Sequence, residues 1–334
     1  MATETFVGTF NVLNLISADF PYYDKDSLYS PADFEKKTRW IGQQLDRMRA
    51  DVVGFQEVFH TSALQAALNQ SEHLRGVPPI VVGTQETERP GVHPGIALVA
   101  KGGAELIAAI TAFPDVAKLN SPELSVSINA FSRPVLKARV QLFPSMEVTV
   151  FVAHLKSKRP SYIEGESPKN PVHRALGCAR SLIRRAAEAA ALRALVLDEI
   201  RGQSRPVIVM GDLNDTERSV TTQMISGDPP FYRIPRAQKE EIWDTLLYSA
   251  QEIQLRQSTR DLYYTHIFNG FYESLDHVLV SEEFYSRNPD RVAELDFVRV
   301  LTDHLQDETQ TMTEGNPLTS DHGQVVARIR LRTT

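Results

Sequence analysis

Six short stretches of this 334-residue chain each carry groups that can move protons or bind cations at one end of an apolar run. They are FNVLN with Asn11, VVGFQEV with Glu57, VFVAHLKS with His154, VIVMGDLND with Asp212 and Asn214, SLDHVLVS with Asp276, and TSDHGQVVARI with Asp321 and His322. Side chains at strand termini can converge over one rim of a sheet. The inventory there is carboxylates, asparagines and two histidines. Carboxylate and amide oxygens suit Mg²⁺, Mn²⁺ or Ca²⁺, whereas zinc prefers more His or Cys at closer spacing. A histidine beside a carboxylate can act as general acid or base near neutral pH. Together these groups are what metal-assisted hydrolysis of a phosphate ester requires.

The elements that must position them are mainly strands. Val- and Ile-rich runs predict strands at 5–11, 51–56, 79–83, 95–100, 134–142, 147–154, 206–211, 275–280 and 324–330. Helical periodicity is clear at 34–49, just after the N-cap signal SPAD, and clearest at 173–201. Helices are few and separated by several strands, so strict βαβ alternation is excluded. Two mixed sheets packed face to face, with helices outside, fit the pattern better. Long loops are expected at 17–33, 84–94, 114–132, 157–172 and 301–319. No Pro-, Gly- or Ser-rich linker divides the chain, which reads as one domain over 1–334.

Bulk composition narrows the setting. Hydrophobic residues at 42% and charged residues at 23% exclude disordered and fibrous classes. The single cysteine, Cys178, excludes an intrachain disulfide, and its helical setting suggests packing. A cytoplasmic location is expected, or a secreted one if a leader has been removed. The apolar stretch around 95–113 is broken by Lys101 and Glu105, so no stable membrane association is expected. A net charge of −6 argues softly against tight, charge-driven nucleic-acid binding. The sequence carries no signal for oligomeric state.

Taken in order, FNVLN, GFQEV, AHLKS, GDLND, SLDHVLVS and SDHGQVV resemble the endonuclease/exonuclease/phosphatase superfamily. Its members include deoxyribonuclease I, exonuclease III-type repair enzymes, inositol polyphosphate 5-phosphatases and neutral sphingomyelinases. The resemblance runs from Asn11 to His322. Any one piece occurs by chance; six in the family order are specific. The resemblance implies an α+β fold, a four-layer α/β/β/α sandwich of two mixed sheets.

It also implies roles. Glu57 matches the metal-binding glutamate, Asn11 the asparagine supporting metal and phosphate, and Asp321 a further metal-side carboxylate, with Mg²⁺, Mn²⁺ or Ca²⁺ as the ion. His322 matches the histidine beside the scissile phosphorus, and Asp276 the aspartate that fixes its tautomer. Asp212 and Asn214 match the pair that orients the nucleophile and holds a phosphate oxygen. His154 matches the second histidine of the deoxyribonuclease I and sphingomyelinase branches. The glutamate partner it has in deoxyribonuclease I is missing from GVHPGIALVAKG, leaving Glu86 or Glu88 as substitutes. Arg133, in FSRPVLKARV, resembles a substrate-phosphate contact. His277 is expected to point opposite to Asp276.

Substrate class rests on thinner signals. HLKSKRP places Lys156, Lys158 and Arg159 directly after His154, and the following helix adds Arg174, Arg180, Arg184 and Arg185. That basic run suits a polyanionic backbone. The PAWCDR-like stretch of inositide phosphatases is absent, and neither PPFYRIP nor FNGFYESLDH reads as a membrane hairpin. The expectation is a metal-dependent phosphodiesterase, a DNA-cleaving nuclease acting on nucleic acid. The alternative is a phosphatase or phosphodiesterase acting on a lipid or small-molecule ester. A catalytically silent binding protein on the same fold is disfavoured by the full set of polar groups.

Overall fold

The computed structural model describes residues 3–22, 28–84, 94–121, 126–202, 205–258, 264–311 and 316–332. Its first strand explains why the apolar runs are nearly continuous. In β1 (Glu4–Leu15), Val7 faces a core between two sheets, while Phe10, Val12 and Leu15 face a core beneath helices. A strand buried on both faces needs apolar residues at successive positions.

Along the chain follow α1 (Pro31–Met48), β2 (Val52–Val58), α2 (Thr61–Gln70), β3 (Ile80–Val82), β4 (Gly95–Ala100), β5 (Ala104–Ala112), β6 (Leu119–Ser121), β7 (Val126–Ile128), β8 (Ala130–Phe143) and β9 (Met146–His154). Then come α3 (Pro171–Ile200), β10 (Val207–Asp212), α4 (Val220–Ser226), α5 (Arg236–Trp243), β11 (Tyr248–Ser249), α6 (Ala250–Gln257), β12 (His266–Phe268), β13 (Phe271–Glu273), β14 (Asp276–Val280), β15 (Ala293–Leu301) and β16 (Gln324–Leu331).

Two six-stranded mixed sheets result, ordered β15-β16-β1-β2-β4-β3 and β11-β14-β10-β9-β8-β5. Each holds one parallel pair, β1–β2 and β9–β10, joined by a crossover through α1 and α3 respectively. Val7, Leu98, Val150, Met210 and Ile329 share the core between the sheets. Ile41, Leu45 and Met48 of α1 cover the first sheet through Phe10 and Phe55. Leu192 and Val196 of α3 cover the second through Phe151 and Val209. The layers are therefore α/β/β/α, as the resemblance implied. Both long helices start at side-chain caps followed by proline: Ser30 accepts from the Asp33 N–H, and Asn170 from those of Val172 and His173.

Some elements depart from the sequence reading. β5 and β15 are strands that no run predicted. Both are edge strands that carry exposed residues such as Glu105, Leu106 and Phe297. Pairing with β8 and β16 overrides weak local propensity there. The expected loop at 114–132 contains the β6–β7 hairpin and the start of β8. Among the described residues, no helix is long and apolar enough to cross a membrane.

One glycine fixes the spacing of the central parallel pair. Gly211 adopts φ 145°, and a Cβ there would collide with the Ala153 carbonyl of β9. Gly211→Ala should destabilise the fold by about 2–4 kcal/mol, read as a lower urea midpoint with unchanged slope. An unchanged midpoint would show that the backbones can part without cost.

Candidate active site

Register brings three of the polar strand-ends side by side. Asp212 of β10 pairs with His154 of β9 on one flank and Asp276 of β14 on the other. Cross-strand partners project to the same face, so an imidazole and two carboxylates stand together at one end of the second sheet. His277, the next residue along, projects oppositely and contacts Glu217 Oε2 at 3.2 Å and the Asp215 carbonyl at 2.8 Å.

The first sheet supplies the opposing groups. His322 precedes β16, and its Nδ1 donates to Asp276 Oδ2 at 2.8 Å. Its Nε2 faces Asp212 Oδ2 at 3.8 Å. The Asn11 amide donates to Asp212 Oδ2 at 3.2 Å, and His154 Nε2 lies 3.3 Å from the same oxygen. Asp212 Oδ1 accepts the Asn214 N–H at 2.9 Å, and the Asn214 amide donates to the Leu155 carbonyl at 3.0 Å. Asn11, His154, Asp212, Asn214, Asp276 and His322 are all buried.

Burial opposes every charge in this cluster, and the neighbours decide the outcome. Burial pushes the Asp212 carboxyl up, but the His322 and His154 imidazoles and the Asn214 N–H outweigh it and hold it well below the carboxylate range. Burial pushes the His322 imidazole down, but Asp276 and Asp212 outweigh it and hold it well above its ordinary value. Asp276 Oδ1 and His154 Nδ1 are buried without a hydrogen-bond partner among the described residues. For His154 this matches the missing glutamate; the suggested substitutes, Glu86 and Glu88, lie outside the described residues, as does His93.

Glu57 sits in a kink. It adopts φ 63° at a register shift between β2 and β4, which turns its carboxylate off the strand line. There Oε2 accepts the Asn14 N–H at 3.1 Å. Asn11 is heavily engaged: besides its bond to Asp212, its Oδ1 accepts the Leu13 N–H at 3.1 Å, leaving one lone pair for a cation. Asp321 stands apart from the Asp212 cluster, with its side chain 52% exposed and Oδ2 3.8 Å from His266 Nε2.

The sequence reading missed several residues that hold this site. Lys37 of α1 is fully buried, and its ammonium donates to the Pro317 carbonyl at 3.2 Å. Burial pushes it down to about 7 against the pull of the Asp321 and Glu57 carboxylates. The Ser320 hydroxyl donates to the Asn11 carbonyl at 2.6 Å and accepts the His322 N–H at 3.0 Å. Thr265 Oγ1 accepts the Leu275 and Asp276 N–H groups. Thr265 adjoins the hairpin β12–β13, whose Asn269-Gly270 turn was a readable signal.

The basic run is mostly spent on internal pairs. Lys158 meets Glu273 at 2.6 Å and Asp215 at 3.7 Å; Arg185 meets Asp215 at 3.2 Å; Arg180 meets Glu166 at 2.6 Å. Arg133 and Lys156 differ. Among the described residues, Arg133 donates only to the Leu155 carbonyl, at 3.4 Å, and Lys156 Nζ only to the Ser157 hydroxyl, at 3.5 Å. Burial first, then the Arg133 charge, lowers the Lys156 ammonium. These two cations thus lie near one another, around the carbonyl that also holds Asn214.

Comparison with known proteins agrees with this fold. The model of the Endonuclease/Exonuclease/phosphatase family matches residues 8–322. A solved structure of a family protein from Bacteroides thetaiotaomicron is similar at TM-score 0.56 and 16% identity, covering 99% of each chain. A mannosyl-6-phosphatase from the same organism is similar at TM-score 0.54 and 16% identity, covering 97% of this chain and 99% of that one. The human Nocturnin catalytic domain with bound sulfate is similar at TM-score 0.54 and 15% identity, covering 99% and 96%. No curated protein matches the sequence. With the family model matching from residue 8 in the first strand to residue 322, just before the last, the chain belongs to the Endonuclease/Exonuclease/phosphatase family.

Proposed function

We propose that this chain is a divalent-cation-dependent hydrolase of phosphodiesters, with DNA the substrate to test first. The observation that carries the reading is His322, held between the Asp276 and Asp212 carboxylates at the end of both sheets. One carboxyl kept ionised beside one imidazole kept protonated divides the labour of hydrolysis. Asp212, with Asn214 behind it, accepts a hydrogen bond from the attacking water and orients it. His322, its tautomer fixed by Asp276, faces the phosphorus and balances the charge that grows on the phosphorane oxygens. As the water oxygen bonds to phosphorus its proton passes to the Asp212 carboxylate, the bond from phosphorus to the leaving oxygen breaks on the opposite side, and that oxygen takes a proton from solvent. Asp212 then releases its own to solvent, with His322 protonated throughout. Arg133 and Lys156 hold a non-bridging phosphate oxygen.

Glu57, with the free lone pair of Asn11 and the Asp321 carboxylate, would hold the cation. This oxygen donor set suits Mg²⁺, Mn²⁺ or Ca²⁺. When bound, the cation supplies Lewis-acid charge at a phosphate oxygen.

A second reading, a smaller phosphate ester or a lipid, is favoured by the neutralised basic run. With Lys158, Arg180 and Arg185 paired internally, the loop offers little charge to track a polyanionic backbone. The exposed Phe268, Phe271 and Tyr272 of the β12–β13 hairpin would instead meet an apolar group.

Plasmid DNA should be nicked with Mg²⁺ and remain intact with EDTA, and His322→Ala should lower turnover about 10²–10⁴-fold while the protein still unfolds cooperatively, at a lower temperature because the buried Asp276 and Asp212 lose the imidazole between them. Full activity in His322→Ala would remove that residue from the chemistry. An intact plasmid with hydrolysis of sphingomyelin or a phosphomonoester would move the substrate to the second reading. Arg133→Ala should raise KM about tenfold or more, whereas Lys158→Ala should change it by about twofold or less, because Lys158 already has two carboxylate partners. Equal effects would place the substrate along the basic loop. In the metal-free protein, the His322 ring should titrate above 6.5 by NMR. Asp276→Asn removes a stabilising negative charge, so the midpoint should fall; an unmoved midpoint would break the pairing argument.

A further inference from the structure

Beyond the oxygen-rich position around Glu57, His322 belongs to a second cluster on its other flank. His266, Asp321 and His322 each offer a ligand atom, all within 4.8 Å of one another. The His266 and His322 rings lie 4.8 Å apart between centroids, and His266 Nε2 lies 3.8 Å from Asp321 Oδ2. The backbone fixes this approach. His266 and His322 form an antiparallel bridge, and the Gly323 N–H donates to the Thr265 carbonyl at 2.6 Å. His266 Nδ1 is buried and has no hydrogen-bond partner among the described residues. His322 Nδ1 is committed to Asp276, so only its Nε2 is free to ligate.

We propose that His266, Asp321 and His322 form a site for a borderline transition-metal cation, with Zn²⁺ as the representative ion, and that filling it stops turnover. Two imidazoles and one carboxylate leave a fourth position open, a donor set that suits zinc and is poor for Mg²⁺, which prefers oxygen ligands in an octahedron. The inhibitory effect rests on the proposed role of His322: a cation on its Nε2 removes the group facing the phosphorus. The groups that must close on an ion are side chains of the hairpin and of the 320–322 segment, and none belongs to a strand of the two main sheets.

The test measures zinc binding to the metal-free protein by competition with a chromophoric chelator, without Mg²⁺, because Asp321 is shared with the proposed hard-cation position and filling that position would occupy a zinc ligand. Wild type should bind a single zinc ion. His266→Ala should weaken that binding at least about tenfold, as should His266→Gln, which preserves size; the second variant decides if the first fails to melt cooperatively. His173→Ala is the control, since it lies on α3 outside the cluster, where its Nδ1 accepts the Ser167 N–H at 3.0 Å; its zinc affinity should stay within about twofold. Absence of zinc binding in wild type, wild-type affinity in both His266 variants, or a loss in His173→Ala matching theirs would each overturn the site. On any phosphate ester the protein hydrolyses, zinc should inhibit wild type at a concentration at least about tenfold lower than it inhibits His266→Gln. If no ester is turned over, the function reading fails while the binding measurement still decides the site.

Discussion

A buried carboxylate is the constraint on which the site depends. Asp212 has almost no access to water, and an ionised carboxylate in that setting persists only if its lone pairs are met. Its partners come from distant parts of the chain. Asn11 lies on the first strand, His154 on β9, His322 just before the last strand, and Asn214 two residues on. The two sheets must therefore meet in one register for Asp212 to be stable. Gly211 lets β10 approach β9 closely enough for this. The apolar core between the sheets supplies the driving force, and the carboxylate selects which arrangement of the sheets is acceptable.

The same residues hold local strain. Leu13, Asn14, Glu57 and Asn214 all adopt left-handed backbone, with φ of 48°, 52°, 63° and 56°. Each such residue costs about 1–3 kcal/mol unless its surroundings compensate. Here the compensation is specific. Asn11 Oδ1 accepts from Leu13 N–H, Glu57 Oε2 from Asn14 N–H, and Asp212 Oδ1 from Asn214 N–H. The side chains proposed to serve chemistry are thus also the caps of the turns that aim them. A substitution at Asn11 or Asp212 acts on backbone geometry as well as on charge, whereas His322 is held through Ser320 and Asp276 and can be altered with less disturbance.

This division explains what the sequence could disclose. Strands of the sheet centres are covered on both faces, so β1, β2, β4, β9, β10 and β16 read as apolar runs with polar termini. The edge strands β5 and β15 have a face open to water and take Ala, Glu, Asp and Arg, so their pairing is visible only in three dimensions. Lys37 sits in a run of charged helix residues; the carbonyl that accepts its buried ammonium, that of Pro317, lies far along the chain. His266 acquires meaning only when the hairpin docks beside His322. The basic loop after His154 shows the reverse error. Its positive charges were legible, but Glu273, Asp215 and Glu166, which neutralise them, were not.

The charge balance of the site supports the cation proposed for it. Glu57, Asp212, Asp276 and Asp321 bring four carboxylates to one end of the sheets, in a chain with net charge −6. Against them stand the His322 imidazole, which its neighbours keep protonated, and the buried Lys37 ammonium, which burial weakens. A phosphate ester entering this field meets more negative than positive charge, and in a partly dehydrated setting that repulsion is large. Arg133 and Lys156 offset part of it at the far side of Asn214. The divalent ion proposed at Glu57 would offset the rest while leaving Asp212 ionised and His322 held by Asp276. On the proposed reading, metal dependence is an electrostatic condition for admitting the substrate, in addition to any Lewis-acid contribution to the reaction itself.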